Sequence, residues 1–560
     1  MSRRFYGSLR APLFFLAGAL ALGCEARTHP QIIDSQTNWL KACQIDAQCG
    51  DYSCVCGVCT SPCGDDSACS SLKGSSCVDA SDPGGIAECG GTRVPKLGIC
   101  LPRCDDGGCA SGQMCVAGVC APVPTPDTQV TIDTQVKHQT LTGFGASVAY
   151  SEAQITSHPR KAALYAAVFA GLGLDVLRMR DRYGHAGDDD LTSAVELVTA
   201  AQASLGRAPT LFMTSWSPPP ALKVNGAVNC SGNPDTCTLT KTAGGAFDYA
   251  GFATFMRQSL DAYAAVGIAP DYVGIQNNPD WLPSSAELGE ACVFLPVEGS
   301  ATMVVNGASV VVSYPGYAEA QAATVKALAG LASPPKILAP ETSDGASVAD
   351  YIAVLGDGTF DAIAHHLYGT NPQAADLTEL SGLGKLATDA GVPVFQTEMQ
   401  ADGLGTAMLI HDTTVVEGAA AYLQQTLTTS STGPAANTQA LVAVGPNNFT
   451  LQDPYYAVQH YALHTEPGWV RVDAASSSPS VLASAWLSPS GDALTIVLVN
   501  PGSSAIDAKV NLPAGSPSGT SSVSRSVFGG VERGADLGKL SAEGILSVPP
   551  RSVVTVALSD

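Results

Sequence analysis

The chain reads as a small disulfide-rich module, a (β/α)8 barrel and a β-sandwich, in that order. Three observations predict this. Fourteen cysteines fall between Cys43 and Cys120. From about residue 143, short apolar runs alternate with Ala-rich helical stretches, eight times in about 320 residues, which is the rhythm of a closed parallel barrel. From about residue 469 the helical patterns stop, and short alternating segments separated by Gly, Pro and Ser take over.

The first part, residues 1–24, reads as a targeting segment. Arg3, Arg4 and Arg10 form a basic start. The apolar run Ala11 to Leu22 is too short to span a bilayer, which takes about 20 residues. It ends in Gly23-Cys24, which resembles a bacterial lipobox, so Cys24 is expected to be acylated. A secreted or cell-surface lipoprotein is expected, meeting the membrane through a lipid anchor only.

Residues 25–121 carry much Gly, Ser and Asp and little to build a core from, so crosslinks are expected to replace one. Two stretches, Cys56 to Cys69 and Gly98 to Cys109, look alike and resemble the small Cys-rich repeats of exported myxobacterial proteins. Cys54-x-Cys56-x-x-Cys59 has a metal-like spacing, but no His accompanies it, and an exported setting favours disulfides. Residues 122–128 form a Pro-rich, extended linker.

The barrel is assigned to residues 143–465. Its expected strands are Thr142–Ser147, Asp175–Arg180, Thr210–Ser217, Tyr272–Gln276, Lys336–Ala339, Ala362–Leu367, Val392–Thr397 and Ala419–Leu423. Helices are expected between them, for example over Arg160–Gly171, Tyr249–Val266 and Leu380–Ala390. Asn306-Gly307 between β-branched runs signals a tight hairpin inserted near the active end. Residues 466–560 are assigned to the sandwich, with residues 129–142 supplying a further strand from before the barrel.

The net charge of −22 argues against a nucleic-acid partner and against anionic membrane surfaces, both of which need basic patches. In a barrel of this kind the chemistry sits just past the carboxyl ends of the strands. Two segments fit that position: Val273-Gly-Ile-Gln-Asn-Asn278-Pro-Asp-Trp281 and Val394-Phe-Gln-Thr-Glu398-Met399. The second ends in a carboxylate. The first offers an amide, Asn278, where glycosidic bond cleavage would want a second carboxylate.

Gly143-Phe-Gly-Ala-Ser147, Leu177-Arg178-Met-Arg180, Thr214-Ser-Trp216-Ser-Pro-Pro219, Ile275-Gln-Asn-Asn-Pro-Asp280, His366-Leu-Tyr368-Gly369, Gln396-Thr-Glu398 and Tyr455-Tyr456…Pro467-Gly468-Trp-Val-Arg471-Val occur in this order. Over residues 128–560 the set resembles family-30 glycoside hydrolases, which include glucosylceramidase-like, xylanase and β-1,6-glycanase members. The resemblance implies a barrel fused to a sandwich built from both chain ends, and a retaining β-glycosidase. Within it the nucleophile maps to Glu398 and the sugar-binding amide to Asn277. The family's acid/base Glu is replaced by Asn278. Glu290-Ala-Cys292-Val-Phe294 is closer to xylanase-like members.

An amide has no proton to give at neutral pH. Asp280, Glu287, Glu290 and Glu341 are therefore candidate substitute acids, although family members often carry an Asp at the position of Asp280, which suggests a structural task for it. Arg178 is placed to keep Glu398 ionised. Trp216, Trp281, Tyr368 and Tyr183 are candidates to stack on sugar faces, and each could equally be core packing. His366 is a candidate substrate contact, and its neighbour His365 should point the other way on a strand. Cys230 and Cys237 are expected to pair, leaving Cys292 over. Strand eight, Ala421-Tyr422-Leu-Gln-Gln425, lacks the family's Trp, so the sugar rim is expected to differ. No cofactor or metal is called for. The expected partner is a polysaccharide or glycoconjugate, xylan-type or related. Two alternatives remain: a glycan-binding protein that does not cleave, and an adhesion protein acting through the Cys-rich module.

Overall fold

The computed structural model describes residues 39, 43, 46–55, 58–72, 74–78, 98–102, 113–116, 119–122 and 126–560, apart from 284–288, 306–307, 357 and 433–437. Cys24 and the rest of the targeting segment lie outside these residues, as do Glu287 and the Asn306-Gly307 turn.

Eight parallel strands close into a barrel in chain order. They are β1 (Gly143–Ser147), β2 (Val176–Arg180), β3 (Thr210–Thr214), β4 (Tyr272–Gly274), β5 (Lys336–Thr342), β6 (Ala362–His366), β7 (Val394–Met399) and β8 (Ala421–Gln424). Helices such as Thr192–Leu205, Tyr249–Ala265, Tyr317–Leu328 and Leu377–Ala390 return the chain between them. Three strands stop earlier than the sequence predicts, the sixth by one residue, at His366. The third ends at Thr214, ahead of Pro218 and Pro219, whose missing N–H groups could not continue a ladder. The fourth ends at Gly274, and Gln276 turns its carboxamide back to donate to the Trp216 and Asn277 carbonyls at 2.8 and 2.9 Å.

Period-two alternation divides the barrel interior into two layers. The lower layer is apolar: Val176, Phe212, Tyr272, Leu338, Ala362, Ala364 and Phe395 are buried together. The rings of Phe212, Tyr272 and Phe395 pack with centroids 5.0–5.5 Å apart. Two residues further along β2 and β3 the inward positions become Arg178 and Thr214, so the plug is capped by a polar layer at the carboxyl ends.

The antiparallel hairpin Gly299–Val305 and Ala308–Tyr314 follows β4, as the sequence predicts. It packs with Trp281 and the Cys230–Cys237 disulfide to form a wall on that side of the barrel mouth. Cys292 is free and buried, and burial pushes its thiol up to about 12, far from a thiolate at neutral pH.

The sandwich contains nine strands. The strand Thr128–Thr140, from before the barrel, lies between Val470–Ser476 and Ile506–Asn511, so both chain ends build this domain. Alternate residues Val130 and Ile132 point into its core with Val472, Ile496, Val510 and Val554. Barrel and sandwich share a buried seam. Trp486 packs edge-on against Phe144 and Tyr461, and His460 hydrogen-bonds Thr555 and Ser526 at 2.8 and 2.9 Å.

Ahead of these, among the described residues, four disulfides are interleaved in two pairs: Cys43–Cys54 with Cys49–Cys59, and Cys63–Cys77 with Cys69–Cys100. Cys54 and Cys59, two members of the metal-like spacing, are consumed by these bonds. Small clusters around Leu72 and Tyr52 are all the apolar core the described module has, so the crosslinks carry its stability.

Candidate active site

The polar layer is organised around Arg178 on β2, which is fully buried. One terminal nitrogen donates to Glu398 at 2.5 Å. The other donates to Asn277 at 2.6 Å and to Glu341 at 3.0 Å. The guanidinium lies over the Trp216 ring, 4.4 Å from its centroid. One cation thus gathers groups from four other strands and strand ends, across sequence separations of up to 220 residues.

Glu398 stands near the end of β7 with its second oxygen accepting from the Tyr368 hydroxyl at 2.7 Å. Its residue is 4% exposed. Burial, then the charge of Glu398, pushes the Tyr368 phenol upward, so it remains a donor.

Glu341 is the second carboxylate on Arg178. Thr214 donates to either of its oxygens at 3.1 Å. Its seat exists because β4 has a glycine there: a Cβ on Gly274 would lie 1.7 Å from the Glu341 Oε2. Burial pushes the Glu341 carboxyl up, and Arg178 opposes that. Its side chain is sealed beneath the mouth, so as a substitute acid it has no path to a leaving group.

Asn278 occupies the left-handed region, with φ of 47°, where Asn is among the tolerated residues. Its N–H donates to the Glu341 carbonyl at 3.0 Å. Its Oδ1 accepts from His366 Nδ1 at 2.7 Å. A carboxamide oxygen only accepts, so His366 carries its proton on Nδ1. Burial, reinforced by Arg178 and His365, pushes the imidazole well below its ordinary range, which keeps it neutral. Its other nitrogen is buried without a partner among the described residues.

The remaining candidates are dispersed. Both Asp280 oxygens accept from Ser343, from its N–H at 2.9 Å and its hydroxyl at 3.0 Å, so this carboxylate is a strut between the loops after β4 and β5. Trp281 is half-buried in the wall, against Gly289. Tyr183 lies exposed on the loop after β2. His365 points the other way and pairs with Glu417 at 2.6 Å. Glu290 pairs with Arg180, whose guanidinium lies over the Tyr150 ring. Tyr150, Arg180, Thr214 and Gly274 were not singled out from the sequence. The first of these had no signal, but the period-two spacing of Arg178 and Arg180 placed both on one face.

Residues 468–556 match the family model described as the glycosyl hydrolase family 30 beta sandwich domain. No curated protein matches the sequence. Solved structures resemble the chain at low identity. A family-30 subfamily-8 xylanase from Clostridium acetobutylicum is 21% identical with a TM-score of 0.57, over 77% of this chain and all of that one. The catalytic domain of a family-30 xylanase from Talaromyces cellulolyticus is 20% identical with a TM-score of 0.57, over the same shares. An endo-β1,6-glucanase is 16% identical with a TM-score of 0.56, over 78% of this chain and 96% of that one. A closed eight-stranded barrel joined to a family-30-type sandwich is the architecture these proteins share with this chain.

Proposed function

We propose that this protein is an exported, retaining-type β-glycosidase that keeps the nucleophilic half of the reaction and lacks the built-in proton donor, acting on a β-linked glycan of xylan or related type. The observation that carries the reading is the Glu398 carboxylate, ion-paired to Arg178 at 2.5 Å and bonded by Tyr368 at 2.7 Å at the carboxyl end of the barrel. In this role Glu398 attacks the anomeric carbon, the bond to the leaving-group oxygen breaks, and the electron pair departs with that oxygen. Water then attacks the glycosyl–Glu398 bond, freeing the carboxylate, and its proton passes to solvent. Arg178, held by Glu341, Asn277 and Trp216, orients the carboxylate.

Asn278 and the neutral His366 hold no proton for the leaving oxygen. A phenolate leaves without one; a sugar alkoxide does not. General acid help contributes about 10²–10⁴-fold, which is the expected gap between activated and natural substrates. The likeness to xylanases and a β1,6-glucanase supports a β-glycan as substrate. The N-terminal sequence through Cys24 supports export and lipid anchoring.

The test is a panel of 4-nitrophenyl β-glycosides. The wild type is expected to release nitrophenolate and Glu398→Gln is not. A wild type silent on the whole panel at every pH defeats the enzymatic reading. The pairing of Asn278 with His366 favours a second reading, saturable binding of an oligosaccharide without product. Titration of the intact protein with oligosaccharides, followed by product analysis, separates the two.

A further inference from the structure

Each described carboxylate that could stand in for a proton donor is committed elsewhere. Glu341 is sealed, and it is held by Arg178 and Thr214. Both Asp280 oxygens accept from Ser343. Glu290 gives one oxygen to Arg180, and its other is buried without a partner among the described residues. The Tyr368 hydroxyl uses its hydrogen on Glu398. His366 holds its one proton against Asn278, and burial keeps the ring neutral. A ring held that far below its ordinary range is also a weak base, so its free Nε2 draws a proton from water poorly.

A second observation concerns what lies beside Asn278. In a retaining enzyme the proton donor stands next to the leaving oxygen, so under the reading above this loop flanks the leaving group. The loop runs straight into the wall. The Trp281 N–H donates to the Asn278 carbonyl at 3.0 Å. Trp281, Leu282, Met303 and Val310 pack against the cluster of Cys230, Cys237 and Ala291. Residues 299–314, the hairpin of this wall, include no charged side chain. The leaving-group side therefore combines an apolar, aromatic wall with an amide in place of an acid.

We propose that the bond this protein cuts joins a β-linked sugar to a phenol and not to a second sugar. The substrate class rests on the retaining reading above and deepens it: the glycan supplies the sugar on the Glu398 side, and the phenol is what leaves. A phenol ionises near pH 10, whereas an alkoxide is close in basicity to hydroxide, about 16 on the same scale. Glu398 forms the new bond to the anomeric carbon, the bond to the phenolic oxygen breaks, and the phenolate departs with the electron pair. Any proton it takes up comes from solvent. Water then attacks the glycosyl–Glu398 ester and loses a proton to solvent. With no base to help, this second half is slow and the ester accumulates.

The experiment uses the full chain and one sugar throughout, xylose or glucose, whichever gives turnover. The series is the 2,4-dinitrophenyl, 4-nitrophenyl, phenyl and methyl β-glycosides and the β-1,4-linked disaccharide. The dinitrophenyl glycoside is expected to release a burst of about one phenolate per enzyme, with a gain of one glycosyl unit in intact mass that Glu398→Gln abolishes. The phenyl glycoside should be cleaved at least about 10²-fold faster than the methyl glycoside or the disaccharide. Disaccharide cleavage within tenfold of the phenyl glycoside overturns the phenol and leaves the Glu398 reaction standing. Glu287, outside the described residues, is tested by Glu287→Gln. This variant is expected to keep the dependence of rate on leaving-group acidity, and a steeper dependence overturns the proposal by revealing the acid. Silence of the whole series, the dinitrophenyl glycoside included, overturns the enzymatic reading and the phenol with it.

Discussion

The imidazole of His366 and the carboxamide of Asn278 form a closed pair, Nδ1–H to Oδ1 at 2.7 Å, between strand ends 88 residues apart in sequence. Asn278 Oδ1 and His366 Nδ1 satisfy each other, His366 Nε2 has no partner among the described residues, and the imidazole, kept neutral by burial, is no acid for a leaving group. In the proposed function the pair stands where a retaining glycosidase needs a proton donor.

Asn278→Glu is therefore expected to create the missing acid. Cleavage of a natural oligosaccharide should rise by about 10²–10⁴-fold, read as new reducing ends. Glu tolerates the 47° backbone less well than Asn, so the variant should lose about 1 kcal/mol of stability. A folded variant that still releases nothing would show that more than one residue separates this site from turnover.

Arg178→Met removes the cation shared by Glu341 and Glu398. Two buried carboxylates are left without it, and unfolding in urea should show a loss of about 3–5 kcal/mol. Adding Glu341→Gln to the same chain should recover part of that loss. A double variant no more stable than the single one would mean that the charge of Glu341 is not what Arg178 compensates.

Gly274→Ala probes the seat of Glu341. The new Cβ would fall 1.7 Å from Oε2, so the carboxylate must move or the strand must shift. Overpacking of this kind costs about 1–3 kcal/mol. Thermal unfolding should report it, together with weaker glycoside binding as Arg178 loses a partner. Unchanged stability would mean that the carboxylate has somewhere else to go.

Acid should loosen the seam between barrel and sandwich. Burial pushes His460 down to about 3 and His411 to about 4, from an ordinary 6.5. The unfolded chain then binds these protons first. Their contribution is complete above about pH 6.5 and is lost as pH falls toward 4 and 3, at up to about 1.4 kcal/mol per unit for each group. The melting temperature of the wild type should drop across that window, and His460→Gln, which can keep bonds to Thr555 and Ser526, should flatten part of the slope. Parallel curves would exclude His460 as a contributor.

The barrel strands were legible because each is a short apolar run whose alternation survives burial. Glu398 and Asn278 were legible as strand-end residues for the same reason, whereas Asn277 was singled out only through the family resemblance. Glu341 was visible only as one of several acids on active-end loops. Its shared use of Arg178 depends on a glycine on the preceding strand, 67 positions earlier, and no local pattern announces that. Asp280 read equally as acid or strut until Ser343 was found against it. Tyr150 carried no signal at all, because its strained backbone, at a φ of 65°, and its place between Trp216 and Arg180 arise from the turn after β1 and from neighbours on other strands.

The amino-acid sequence by itself determined the order of domains, the strands that close the barrel, the strand that crosses from before the barrel into the sandwich, and the amide at position 278. Periodicity and residue chemistry are local properties, and they survive without coordinates. Only the tertiary structure decided which cysteines pair, which carboxylates share Arg178, which histidine stays neutral and which aromatic faces solvent. Those outcomes depend on distances between residues as many as 220 positions apart and on the burial that closure of the barrel imposes.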